Sequence, residues 1–218
     1  MIKNNSFLIR VFGVASLACI CMLILRIVFY ESLMYAFLAW NLFLAWLPFL
    51  AALLLTKESA KGRGAKTLFC IFLFWLLFFP NSPYIITDLV HLKLNSRAPA
   101  WFDSLLIVLY AWTGLLLGFS SLFKVHKFLD QRFSKWKTWF VILVVIGMSG
   151  YGIYLGRFER WNSWDVLTDP AGLFSNISGH FIHPFKNAGV LITSLLFTVF
   201  LLVGYLTTFA MINSGKHE

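Results

Sequence analysis

Charge is scarce in this chain: Asp, Glu, Lys and Arg make up 12% of its 218 residues. A soluble globular domain carries about a quarter. Beside apolar runs of roughly twenty residues, that shortfall excludes a soluble fold, because a chain of this size has no core able to bury so many continuous runs. Cysteine is also scarce. Cys19, Cys21 and Cys70 all fall inside apolar runs, which argues against a disulfide framework; they read as small buried hydrophobes, and one C-x-C is a weak metal signal. No A-x-A-like cleavage site follows the apolar stretch that runs from behind Lys3 and Arg10 to Tyr30, so this stretch reads as a retained first span. No histidine stands mid-span to ligate a b-type haem, and there is no H-E-x-x-H. The first, fourth, fifth and sixth spans hold no charge at mid-depth, and no internal repeat is visible. Both absences rank an ion-coupled carrier below a site at one face of the membrane.

What the chain does have is hydrocarbon. Runs long enough to cross ~30 Å of lipid at 1.5 Å per residue fall at about 7–30, 33–55, 67–79, 105–123, 139–155 and 189–212. The expected architecture is an all-α, polytopic integral membrane protein, a single transmembrane domain over 1–218 with six helices. The third run covers only about 20 Å. Pro80 cannot continue its hydrogen-bond ladder, and Ser82 followed by Pro83 offers an N-cap with proline at the first helical position. The third helix is therefore expected to break and continue as a short helix over 83–94. Such breaks are tolerated where protein or water satisfies the freed backbone, and they often line a site.

Basic residues orient the bundle. With the N-terminus cytoplasmic, twelve of the eighteen Lys and Arg fall on the inner side, which places both termini on the cytoplasmic side of a cell membrane. Anionic lipid accounts for the net charge of +9, so no nucleic-acid partner is called for. The outer side keeps Lys93, Arg97, Arg157, Arg160 and Lys186, with Arg26 read as snorkelling to the outer interface. Most acidic residues also fall outside.

Three outer segments carry the candidate chemistry. In FFPNSPYIITDLVHL, residues 78–92, Tyr84, Thr87, Asp88 and His91, with Asn95 beyond, form one polar stripe at helical spacing, and Asp88 and His91 at i and i+3 point to one place. GRFERWNSWD, 156–165, sets Arg157, Arg160 and Asn162 among tryptophans that suit an interface, and arginines there can hold a phosphate or carboxylate. Just upstream, Gly152 and Gly156 form a small-xxx-small pair suited to a close helix approach. SGHFIHPF, 178–185, places His180 and His183 three apart on a short interfacial helix starting near Asp169-Pro170. Asp103 in WFD reads as the N-cap of the fourth span, and Asn41 as an interhelical hydrogen-bond donor. His126 carries no signal.

Two readings of these residues stand side by side. Asp88, His91, His180 and His183 match in number and type the ligands of a divalent metal such as zinc. Against that, a boundary carboxylate is costly unless paired, which favours an ion pair of Asp88 with Arg157 or Arg160. As a site, Asp88 and His91 would serve as general base or metal ligands. Arg157 and Arg160, with Asn81, Tyr84 and Asn162, would then hold a lipid-borne or anionic envelope substrate. The alternative is a non-enzymatic membrane module, or a small transporter, in which the cluster is structural.

The string P-N-S-P-Y-I-I-T-D-L-V-H-L, with W-F-D after it and R-F-E-R-W-N-S-W-D later, resembles a family of uncharacterised bacterial multi-pass membrane proteins. That family is a domain of unknown function with a P-N-x-P-Y-x-x-T-D-L motif, matched here by Pro80, Asn81, Pro83, Tyr84, Thr87 and Asp88. The likeness runs from about Leu68 to the last span. It implies a bacterial inner-membrane protein of about six spans and brings no activity, substrate or cofactor.

Overall fold

The computed structural model describes residues 2–92, 97–182 and 187–214. Among them there is no strand. In chain order the helices are α1 (Ile2–Tyr30), α2 (Phe37–Ala60), α3 (Ala65–Phe78), α4 (Asn81–Tyr84), a 3-10 helix (Ile85–His91), α5 (Ala100–Asp130), α6 (Lys135–Phe158), α7 (Asp165–Thr168), α8 (Pro170–Ile182) and α9 (Ala188–Ser214). Six stretches are long and apolar enough to cross a membrane: Asn5–Tyr30, Phe37–Ala60, Ala65–His91, Ala100–Asp130, Lys135–Phe158 and Ala188–Ser214. The surface agrees with a lipid solvent. Val90 is 76% exposed while the neighbouring Asp88 is 1% exposed, the reverse of a water-soluble surface. Cysteine follows the same logic: Cys19 is buried, whereas Cys21 and Cys70, expected inside, are exposed on apolar helix faces.

The helices run past the apolar windows that mark them in the sequence, most of all α5. Its ends carry serine, lysine and aspartate, which helices accept as readily as leucine outside the hydrocarbon. The third span is likewise longer than its apolar run, because α3, α4 and the 3-10 helix follow one path to His91.

Proline interrupts that span without turning it. Pro80, Tyr84 and Ile85 all keep right-handed helical torsions. Pro80 and Pro83 have no N–H, so the carbonyls of Leu76 and Phe79 lose their usual donors four residues on. Ser82 N–H shifts by one to reach the Phe79 carbonyl at 3.2 Å. That would strand the Phe78 carbonyl, and the Asn81 side-chain amide fills it at 3.0 Å. Helix restarts at Asn81, behind Pro80, so the expected N-cap at Ser82 is corrected. Its hydroxyl caps nothing and instead donates to the Ala45 carbonyl of α2 at 2.9 Å.

By contact the chain divides into two compact units, Met1–Lys124 and Val125–Glu218. In the first, α2 packs along α3 and α4. Gly114 and Gly118 of α5 form a small-xxx-small face against the break. A Cβ on Gly114 would stand 2.8 Å from both the Ile85 side chain and the Ser82 carbonyl, and one on Gly118 3.0 Å from Ser82 Cβ. In the second unit, α6 packs along α9. They approach closely at Gly150, where a Cβ would stand 2.6 Å from the Ser194 carbonyl.

Candidate functional site

In the first unit the polar residues gather where α1 ends and α5 begins. Arg26 and Asp103, both fully buried, form an ion pair: Nε reaches Oδ1 at 2.7 Å and Nη2 reaches Oδ2 at 3.3 Å. Nη1 donates to the Ser32 carbonyl at 3.0 Å, and the guanidinium lies 4.5 Å from the centre of the Tyr35 ring. Asp103 is therefore not the expected cap of α5, nor does Arg26 snorkel outward. Each is the other's counter-ion, because a charge in a dry interior is retained only when paired and hydrogen-bonded.

From this pair the network leads to the interrupted span. Tyr35 Oη donates to the His91 carbonyl at 3.1 Å, and the His91 ring meets Phe37 edge-on at 5.2 Å. Asn41 Nδ2 donates to Asp88 Oδ2 at 2.8 Å, the interhelical role expected of Asn41. Thr87 bonds the Tyr84 carbonyl at 2.7 Å, holding the turn that carries Asp88. The 3-10 geometry matters here. With three residues per turn, Ile85, Asp88 and His91 eclipse one another along a single edge. Ile85 and Asp88 are buried, and His91 is exposed. Tyr84 is half-buried on the adjoining edge.

The second unit holds the remaining candidates. Arg157 is half-buried at the end of α6, and Arg160 is exposed with a φ of 63° in the turn that leaves it. Asn162 gives its backbone N–H to Asp165 Oδ2 at 2.6 Å and its side-chain amide to the same oxygen at 3.2 Å. That N–H, helped by the Thr168 and Asn162 side chains against slight desolvation, holds the Asp165 carboxyl below the usual carboxylate range. α8 begins as the sequence suggests: Asp169 Oδ1 accepts the Gly172 N–H at 2.9 Å, with Pro170 at the first helical position.

His180, 8% exposed on α8, is bound at both ring nitrogens. Nδ1 lies 2.9 Å from the Tyr151 hydroxyl and Nε2 2.9 Å from Glu159 Oε1. A metal at His180 would have to displace one of these partners. His183, the other histidine of the expected metal set, lies outside the described residues, and among the described residues no group of three or more His, Cys, Asp or Glu could hold a metal ion. The expected pairing of Asp88 with Arg157 or Arg160 would join residues of different units. Within its own unit Asp88 accepts from Asn41.

Sequence reasoning passed over Arg26, Asp103, Tyr151 and Glu159 as site residues. Only Arg26 carried a usable signal, a lone charge within an apolar span. His126 is another surprise. It is buried on α5, 2.7 Å from the Tyr205 hydroxyl and stacked on Phe209, but its nearest carboxylate, Asp130, is 3.6 Å away.

The family described as protein of unknown function (DUF1361) matches residues 40–203, and this chain belongs to it. No curated protein and no solved structure matches the chain.

Proposed function

We propose that this DUF1361 member is a multi-pass protein of the bacterial cytoplasmic membrane that acts at its outer face on a lipid-borne or anionic envelope substrate. Both termini are cytoplasmic in this reading, which rests on the excess of Lys and Arg in the loops assigned inside. Asp88 and His91 are its acid–base pair. The observation that carries it is their stacking along one edge of the 3-10 helix, a buried carboxylate one turn below an exposed imidazole. Asn41 fixes the carboxylate, and the exposed imidazole meets substrate and exchanges protons with it. Tyr84, half-buried on the adjoining edge, flanks the pair; in the second unit, Arg157 and Arg160 carry guanidinium groups suited to an anionic moiety. The Asn81 side chain holds the Phe78 carbonyl of its own segment, and the Asn162 side chain holds the Asp165 carboxylate.

Mass spectrometry of the purified protein with its retained lipids tests this reading. The wild type should retain an anionic lipid species beyond its share of the bulk membrane. His91→Ala and Arg157→Ala should each deplete it at an unchanged melting temperature. A lipid profile equal to that of the bulk membrane, together with no phenotype in a stably inserted Asp88→Asn variant, would end it. Elemental analysis of the same samples decides whether a divalent metal accompanies Asp88 and His91.

A non-enzymatic reading is favoured by one observation, the fully buried Arg26–Asp103 pair closing the same end of the unit. On that view Asn41–Asp88 is a second lock between helices. Asp88→Asn would then lower the melting temperature and change nothing else.

A further inference from the structure

We propose that the second unit holds its own acid–base site, built from Tyr151, His180 and Glu159, which takes a hydroxyl- or amine-bearing headgroup at the membrane boundary. It does not depend on Asp88 or His91. The three side chains form one hydrogen-bonded chain: the Tyr151 hydroxyl on Nδ1 and Glu159 Oε1 on Nε2, each at 2.9 Å. A carboxylate that orients an imidazole, and an imidazole that can accept a hydroxyl proton, are the arrangement by which an otherwise unreactive hydroxyl is activated. The contrast with His126 is instructive. It too meets a tyrosine, yet at 3.6 Å its carboxylate is beyond hydrogen-bond length, so no carboxylate orients its ring.

A further atom points to a ligand. Among the described residues, Asn176 Oδ1 is a buried acceptor with no hydrogen-bond partner, whereas the Glu159 carboxylate also draws the Tyr154 hydroxyl. Asn176 lies one turn before His180 on the same face of α8. A vacant acceptor there calls for an N–H or O–H donor.

The source of the ligand follows from the other face of α8. Residues Pro170–Ile182 include no Asp, Glu, Lys or Arg. Phe174 and Phe181, seven apart, are 74% and 65% exposed on the face opposite Asn176 and His180. A helix that turns its phenylalanines outward and its histidine and asparagine inward, between two membrane-crossing helices, lies in lipid, so its buried site borders the headgroup layer.

Chemically the site moves one proton. The Tyr151 O–H bond breaks as Nδ1–H forms, with Nε2–H held on Glu159. The phenolate then takes a hydroxyl or ammonium proton from the headgroup, and the imidazolium releases its proton to water.

Tyrosine reactivity tests this without knowledge of the native reaction. Full-length protein in nanodiscs is treated with an aryl sulfonyl fluoride bearing an alkyl tail and, separately, with a charged water-soluble one. Modified tyrosines are quantified by peptide mass spectrometry. In this reaction the phenol oxygen bonds sulfur, fluoride leaves and the proton passes to Nδ1. Tyr151 should react about tenfold or more faster than Tyr30, a half-buried tyrosine at the end of α1 in the first unit. His180→Phe should abolish the difference, Glu159→Gln should narrow it, and the tailed reagent should outpace the charged one. Equal rates for Tyr151 and Tyr30 in the wild type would overturn the site, as would a full rate retained in His180→Phe. Faster reaction with the charged reagent would overturn the lipid assignment.

Discussion

Arg26 and Asp103 stand 77 residues apart in sequence and meet at 2.7 Å with neither side chain reaching the surface. Removing one partner leaves the other as an uncompensated buried charge, which costs about 3–5 kcal/mol. Arg26→Ala and Asp103→Ala should each lower the thermal stability of the detergent-solubilised protein by that order. The double substitution Arg26→Met, Asp103→Leu should recover most of the loss. If the double variant is as damaged as the singles, the pair does more than neutralise charge.

The Asn41–Asp88 hydrogen bond involves a carboxylate, and bonds to charged groups contribute about 1.5–3 kcal/mol. A double-mutant cycle with Asn41→Ala and Asp88→Ala should show coupling of that order in unfolding measurements. Asp88→Asn should keep part of it, because an amide oxygen can still accept from Asn41. Coupling indistinguishable from zero would mean that the contact is incidental.

Gly114 lets α5 lie close against the interrupted span, where a Cβ would stand 2.8 Å from Ile85 and Ser82. Gly114→Leu should push the Ile85–His91 segment off α5 and destabilise by about 1–3 kcal/mol, the usual range for overpacking. Gly13 is the control, since a Cβ there meets nothing within 4 Å. Gly13→Ala should be neutral or slightly stabilising in the same melting assay.

Protonation should loosen the turn that opens α7. The Asp165 carboxyl has its folded value below the unfolded one, so its contribution is complete above the ordinary carboxylate value, about pH 4. It fades as the pH falls through the lowered folded value. Asp165→Asn should remove that pH dependence and speed exchange of the Asn162 amide hydrogen at neutral pH, as read by hydrogen–deuterium exchange. An Asn162 amide that exchanges equally fast in both proteins would show that the carboxylate does not hold the turn.

Much of the fold is legible in the order of residues. Membrane class and span number depend on how much apolar side chain a stretch of roughly twenty residues carries, which is a local property. The interruption at Pro80 is local too, because a missing N–H is a property of the residue itself. So is the start of α8 at Asp169-Pro170. The reading of Ser82 as a cap failed for a tertiary reason: its hydroxyl found the Ala45 carbonyl on another helix, and the new helix starts one residue earlier, at Asn81.

The candidate site was legible only in its parts. Asp88 and His91 stood out because polar residues are rare in such company, and Asn41 was recognisable as a donor in search of an acceptor. Which acceptor it found, and that Arg26 would find Asp103 and His180 would find Tyr151 and Glu159, depended on the rotation of each helix about its axis. That rotation is chosen by close packing over the whole length of a helix, at glycines such as Gly114 and Gly150, and not by the spacing of residues near the site. Sequence alone therefore determined the solvent, the spans and the break. Tertiary structure decided the partners, because in a dry interior each charge must lie against its counterpart, and only the packed helices settle which counterpart is within reach.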